Sequence, residues 1–364
     1  MSEPREPGEP VAPRDDLGAL EGYHSPQLDV SVRLNTNESP YPPPPEFVDR
    51  WLAALSDTEL NRYPDRSASE LRVALGAHLG QPSERLFCAN GSNEVLQTLL
   101  LAYGGHGRRA LVFEPTYALH SHIARITGTE VVAGERQADF TISIEGAREL
   151  VAEHDPVVVF ACSPNNPTGT VEDADTIDAL LTATKGLVVV DEAYGEFAPR
   201  RTLDRVRDDG RLVVVCTYSK VWSMAALRLG FAVAPPWVVE RLEQVVLPYH
   251  LPLATQIAGR VALDFRAEMH DRVERLVRER ERVAAALATV DGVTAFPSGA
   301  NFVLFRVLGD ARAVWKRLVA RGVLVRDCSG WPRLAGCLRV TVGTPDENDA
   351  FLAALRESVT EVAA

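Results

Sequence analysis

Leu212-Val213-Val214-Val215-Cys216-Thr217-Tyr218-Ser219-Lys220 is the stretch that decides the fold. Its apolar residues are continuous rather than alternating. A strand with one wet face alternates; a strand covered on both faces does not. Ala110–Phe113, Val157–Ala161, Leu187–Val190 and Leu229–Val233 read the same way. Helical patterns such as Ala174–Leu181 lie between several of these runs. The expectation is an α/β chain, doubly wound, with a mostly parallel central sheet flanked by helices.

Most of the runs end in a polar cluster. Ala110–Phe113 leads to Glu114-Pro115-Thr116-Tyr117, and Val157–Cys162 leads to Ser163-Pro164-Asn165-Asn166-Pro167-Thr168-Gly169. Leu187–Val190 leads to Asp191-Glu192-Ala193-Tyr194, and the opening stretch ends on Ser219-Lys220. Ligands in open α/β sheets bind outside the carboxyl ends of the strands. The clusters are therefore expected to converge on one crevice.

The chain has 364 residues, enough for one large domain and a smaller one. Residues 1–22 are acidic and proline-rich and read as a flexible tail, not a secretory signal. Residues 23–45 are expected to form an arm that packs with the smaller domain, 46–253 the large domain, and 254–364 a small α+β domain. In the last segment Val273, Leu276, Val277, Val283 and Leu287 fall on one face of a long charged helix, and Asn301–Arg306 and Leu338–Val342 read as strands. The net charge of −12 disfavours nucleic acid. No apolar stretch is long enough to span a bilayer. The five cysteines, Cys88, Cys162, Cys216, Cys328 and Cys337, show neither paired nor metal-ligand spacing. A reducing, cytoplasmic setting without a bound metal is expected.

Three motifs carry chemistry. Asn90-Gly91-Ser92-Asn93-Glu94 is a glycine turn opening a helical pattern, which reads either as an anion cradle or as a helix capped by Ser92 or Asn93. Asp191 ends a very apolar run and needs a partner: a cationic ring nitrogen on one reading, a cap or ion pair on the other. Lys220 ends the next strand, where it is either a solvated loop residue or an amine that forms an imine with an aldehyde. Thr217 and Ser219 just before it, with Arg228 eight residues on, offer two hydroxyls and a cation to one phosphate.

Taken in order, these motifs resemble the fold-type I pyridoxal-phosphate aminotransferases, and closely the histidinol-phosphate branch. Further matches are Leu34-Asn35-Thr36-Asn37-Glu38-Ser39-Pro40-Tyr41, Asn61-Arg62-Tyr63-Pro64-Asp65, Val325-Arg326-Asp327-Cys328, and Gly336 to Thr344. The resemblance covers the chain from about Tyr23 onward. It implies pyridoxal 5'-phosphate held as a Schiff base on Lys220, with Asp191 on the pyridinium nitrogen. Asn166 and Tyr194 would face the phenolic oxygen, and Tyr117 would stack on the ring. Ser92, Asn93, Thr217, Ser219 and Arg228 would hold the cofactor phosphate. Tyr63 would reach that phosphate from the neighbouring subunit of a homodimer with shared active sites. Arg339 and Arg326 would bind the anionic end of a phosphorylated amine, with Tyr23 as a further ligand. The implied reaction takes L-histidinol phosphate and 2-oxoglutarate to imidazole-acetol phosphate and L-glutamate, in histidine biosynthesis. An aromatic aminotransferase or a threonine-phosphate decarboxylase would share the scaffold. A transcriptional regulator would need a DNA-binding domain ahead of these motifs. One departure stands out: Val221-Trp222-Ser223-Met224-Ala225-Ala226 follows Lys220, where such sequences commonly carry smaller residues including glycine.

Overall fold

The computed structural model describes Val11, Arg14, Leu17, Gly22 and residues 26–363. In chain order the elements are β1 (Val32–Leu34), α1 (Pro45–Ser56), α2 (Ser69–Leu79), β2 (Leu86–Ala89), α3 (Ser92–Tyr103), β3 (Arg109–Glu114), α4 (Ala118–Ile126) and β4 (Glu130–Glu135). Then come α5 (Ile144–His154), β5 (Val158–Cys162), α6 (Ala174–Ala183), β6 (Leu187–Asp191), β7 (Leu212–Thr217), β8 (Gly230–Val233), α7 (Pro236–Val245) and α8 (Leu253–Ala262). The last are α9 (Arg266–Leu287), β9 (Val293–Ala295), β10 (Phe302–Val307), α10 (Ala311–Ala320), β11 (Val323–Asp327), β12 (Cys337–Thr341) and α11 (Pro345–Ala363).

Seven strands form one sheet in the order β2-β8-β7-β6-β5-β3-β4. Its strands apart from the edge strand β4 are buried on both faces, which accounts for the continuous apolar runs. Leu111, Val159, Val188 and Val214 pack into the core on one face. Val112, Phe160, Val189 and Val215 pack into the core on the other. Neighbours from β4 to β7 pair in parallel. Strand β8 is the exception, antiparallel to both β7 and β2. The segment joining β7 to β8 carries no crossover helix, so the chain turns straight back. An apolar run reports burial, not direction, which is why the sequence did not separate β8 from its neighbours.

The second sheet has the order β1-β11-β12-β10-β9. Leu34, Val303, Phe305, Val325, Leu338 and Val340 pack with Phe351 and Leu355 of α11 and with Val283 and Leu287 of α9. Strand β1 pairs in parallel with β11, Val32 opposite Val323. The segment after β1 thus leaves the small sheet and runs to the ends of the large sheet's strands.

Candidate active site

Strands β5, β6 and β7 are in register at their carboxyl ends, with Cys162 opposite Asp191 and Asp191 opposite Val215. Their polar termini meet in a cavity of about 280 Å³. Its lining includes Ser92, Asn93, Tyr117, Asn166, Asp191, Tyr194, Thr217, Ser219, Lys220, Arg228 and Arg339. Eleven of the fourteen residues singled out from the sequence therefore share one space. Tyr63 and Arg326 do not line it. Tyr63 is 80% exposed and stacks on Tyr249 at 4.5 Å. Arg326 lies opposite Arg339 on the adjoining strand, half-buried, with its guanidinium 5.7 Å from the Trp331 ring. Tyr23 falls outside the described residues.

At one end is a cradle for an anion. The residue before α3 is Gly91, at φ 82°, and no side chain caps the helix. Neither Ser92 nor Asn93 is spent on capping, so the helix N-terminus faces the cavity without a side-chain cap. The backbone approaches closely: a Cβ on Gly91 would collide with the Arg228 guanidinium, and one on Gly230 with the Ser92 amide. Arg228 donates to Ser219 Oγ at 3.3 Å, and Thr217 Oγ1 donates to the same oxygen at 3.0 Å. Two hydroxyls, a helix N-terminus and a guanidinium thus converge, a donor set suited to a phosphate dianion.

At the centre Asp191 is 2% exposed. Its Oδ1 accepts from the Ala193 amide at 3.0 Å, and its Oδ2 lies 2.9 Å from His120 Nε2. His120 is itself buried and stacked on Phe160 at 4.8 Å, with Tyr117 edge-on at 5.5 Å. Its Nδ1 has no hydrogen-bond partner among the described residues. The sequence reading missed His120, which stands in an amphipathic helix with no motif around it. Tyr194 is buried, and its hydroxyl accepts from Asn37 Nδ2 at 2.9 Å. Burial pushes the phenol well above its usual range, with Arg339 opposing that shift.

Lys220 donates to the Thr36 carbonyl at 3.1 Å and lies 5.7 Å from the Tyr194 ring centre. Burial brings its pKa down to about 8, with Arg339 adding to the fall and Glu38 opposing it. A lysine so tuned exchanges protons near neutral pH. Arg339 is 5% exposed and donates to Asn166 Oδ1 and, at 2.7 Å, to the Asn35 carbonyl. Three consecutive residues after β1 therefore touch Arg339, Lys220 and Tyr194. Their motif was visible in the sequence, but two of these contacts are made by backbone carbonyls, which any residue type supplies.

The departure after Lys220 packs away from the cavity. Val221, Trp222 and Met224 are buried. Trp222 stacks on Tyr218 at 5.0 Å and donates to Glu196 at 3.2 Å. Within Val221–Ala226 only Ala225 lines the cavity.

A fold of this kind with a lysine, a buried carboxylate and a phosphate cradle at adjoining strand ends defines a cofactor-dependent aminotransferase. The chain belongs to the aminotransferase class I and II family, whose model matches residues 30–355. A histidinol-phosphate aminotransferase of Frankia casuarinae is 47% identical, covering 95% of this chain and 90% of that protein. One from Mycolicibacterium smegmatis is 45% identical, covering 94% and 92%. These identities put the chain in the histidinol-phosphate aminotransferase branch of the family. The fold is shared with the crystal structure of histidinol-phosphate aminotransferase from Sinorhizobium meliloti in complex with pyridoxal-5'-phosphate. The TM-score is 0.84 at 24% identity, covering 91% of this chain and 92% of that one.

The chain is accordingly a pyridoxal 5'-phosphate enzyme, and its cavity fits that group. The anion cradle suits the phosphate, Asp191 a protonated ring nitrogen, and Asn166 with Tyr194 the ring oxygen. The amine of Lys220 suits the aldehyde.

Proposed function

We propose that the enzyme transfers the amino group of L-histidinol phosphate to 2-oxoglutarate, giving imidazole-acetol phosphate and L-glutamate. The observation that carries this reading is Arg339. Among the described residues it is a buried cation bonded only to neutral oxygens, with Nε lacking a partner, and Arg326 is one strand away. Two guanidinium groups side by side suit a phosphate dianion. Full-length similarity to histidinol-phosphate aminotransferases supports the same substrate.

When bound, pyridoxal 5'-phosphate supplies an aldehyde for the amine and a protonated ring that draws electrons from the amine-bearing carbon. The chain's residues do the rest. Ser92, Asn93, Thr217, Ser219 and Arg228 would anchor the phosphate. Asp191, steadied by His120, would keep the ring nitrogen protonated. Asn166 and Tyr194 would hold the ring oxygen, and Tyr117 would pack against the ring. Lys220 would hold the cofactor through its Nζ, and that amine, once free, would be the group placed to move a proton at the amine-bearing carbon.

A homodimer fits the surface. Leu60, Tyr63 and Leu247 are each at least 75% exposed, and Tyr63 stacks with Tyr249. In such a dimer Tyr63 is the residue proposed to reach the partner's phosphate cradle. The cytosol is the proposed compartment, because all five cysteines are buried free thiols. Among the described residues no helix is long and apolar enough to cross a membrane.

A donor panel with 2-oxoglutarate tests the substrate. Glutamate should form from histidinol phosphate far faster than from phenylalanine or tyrosine. Preference for either of those, or release of carbon dioxide from threonine phosphate, overturns the assignment. Borohydride should fix the cofactor on Lys220, and Lys220→Ala should abolish that fixation. Fixation on another lysine contradicts the site.

A further inference from the structure

Residues 35–37 contact Arg339, Lys220 and Tyr194, so whatever holds them there shapes the cavity. Ser223 is the residue best placed to do this from the lysine turn. It has φ 54°, in the left-handed region that favours glycine and disfavours a residue with a Cβ. A side chain kept in such a conformation points to a task for that side chain. The Ser223 hydroxyl donates to Ser39 Oγ at 3.1 Å, and Ser39 Oγ donates to the Tyr41 carbonyl at 3.2 Å. From the other side Arg272 of α9 donates to Ser223 Oγ at 3.4 Å and to the Pro42 carbonyl at 2.6 Å. The same guanidinium lies 5.7 Å from the Tyr41 ring and donates to Glu268 at 2.7 Å. The relay runs from α9 through the lysine turn into segment 39–42.

We propose that Ser223 and Arg272 are positioning residues that latch segment 35–42 over Lys220, so that substrate meets a preformed rather than an open cleft. Neither residue lines the cavity. They act through Thr36, whose carbonyl accepts from Lys220, through Asn35, whose carbonyl accepts from Arg339, and through Asn37, which donates to Tyr194. Releasing the far end of the segment frees all three contacts together. Substrate binding would then have to order the segment again, so the effect falls on KM more than on kcat. The inference rests on the proposed reading of this cleft as the substrate site.

The test uses holoenzyme and three variants, Ser223→Ala, Ser223→Gly and Ser39→Ala. Each should raise KM for the amine donor about five- to tenfold with kcat within about twofold, the scale of one or two lost neutral hydrogen bonds. Proteolytic cleavage within residues 33–42 should quicken by a similar factor. Ser223→Gly separates the latch from mere destabilisation, because it relieves the backbone and should keep or raise Tm while still loosening the segment. The double variant Ser39→Ala/Ser223→Ala should be no worse than either single change. Unchanged KM and cleavage in Ser223→Ala and Ser223→Gly overturn the proposal, as does strict additivity in the double variant. Cleavage needs no donor, so the latch can fail or stand independently of the substrate assignment.

Discussion

Arg136 and Arg339 are both almost wholly buried, yet they have opposite surroundings. Arg136 meets Glu172 at 2.5 Å and also donates to the carbonyls of Phe113 and Phe140. Its charge is neutralised within the chain, and burial raises the Glu172 pKa although Arg136 opposes the shift. Arg339 has an amide oxygen and a backbone carbonyl as partners, and among the described residues no carboxylate within ion-pair distance. The first arginine completes its own ion pair and fixes the loop that carries Asn166. The second keeps a buried positive charge with no carboxylate partner among the described residues, which is what the proposed anion site requires. Burial alone would have classed them together; the partner chemistry separates structure from function.

The comparison can be broken at three points. Arg136→Met should cost the most, about 3–5 kcal/mol of stability, because Glu172 is left buried and unpaired. Adding Glu172→Gln should restore part of that loss. Chemical unfolding of both variants measures it, and a negligible change for Arg136→Met would sink the structural assignment. Arg339→Met should instead reduce kcat/KM for the phosphorylated amine by about 100-fold, or ~3 kcal/mol of charge-assisted contact, with much less loss of stability. Equal loss of stability in the two variants would erase the distinction.

The smallest effect is on Lys220. Its folded pKa, about 8, lies below its ordinary value of 10.5, through burial first and Arg339 second. Between these values the unfolded chain holds more protons, so this group's contribution to the apoprotein's stability rises as pH rises from about 8 to 10.5. Arg339→Met removes one repelling charge. The midpoint for trinitrobenzenesulfonate labelling of Lys220 should then move upward by a fraction of a unit to about one unit, at most ~1.4 kcal/mol. A midpoint that stays or falls would mean the uncompensated charge of Arg339 is not felt at the lysine.

Much of this cleft was legible before any coordinates. Continuous apolar runs announced strands covered on both faces, and the polar residues at their ends, Asn166, Asp191 and Lys220, could only sit where such strands stop. Arg339 and Arg326 were legible through resemblance alone, since an arginine in a strand has no local signature of ligand binding. His120 was hidden because a buried ring partner for Asp191 depends on how α4 docks on the sheet. The roles of Asn35 and Thr36 were hidden because a carbonyl is common to every residue. The departure after Lys220 looked disruptive by bulk, but Trp222 turns toward Tyr218 and Glu196, a direction that composition does not reveal.

The parallel pairing of β1 with β11 has a consequence for how the enzyme is made. Val32 is paired with Val323, and Asn35 meets Arg339 across 304 residues of chain. During synthesis the large sheet, with Lys220 and Asp191, leaves the ribosome well before β11 and β12 do. The early segment must wait without its partner strand, and contacts between such distant residues form slowly. The newborn chain can therefore assemble its phosphate cradle before it has a substrate pocket, and cofactor capture becomes possible earlier than catalysis.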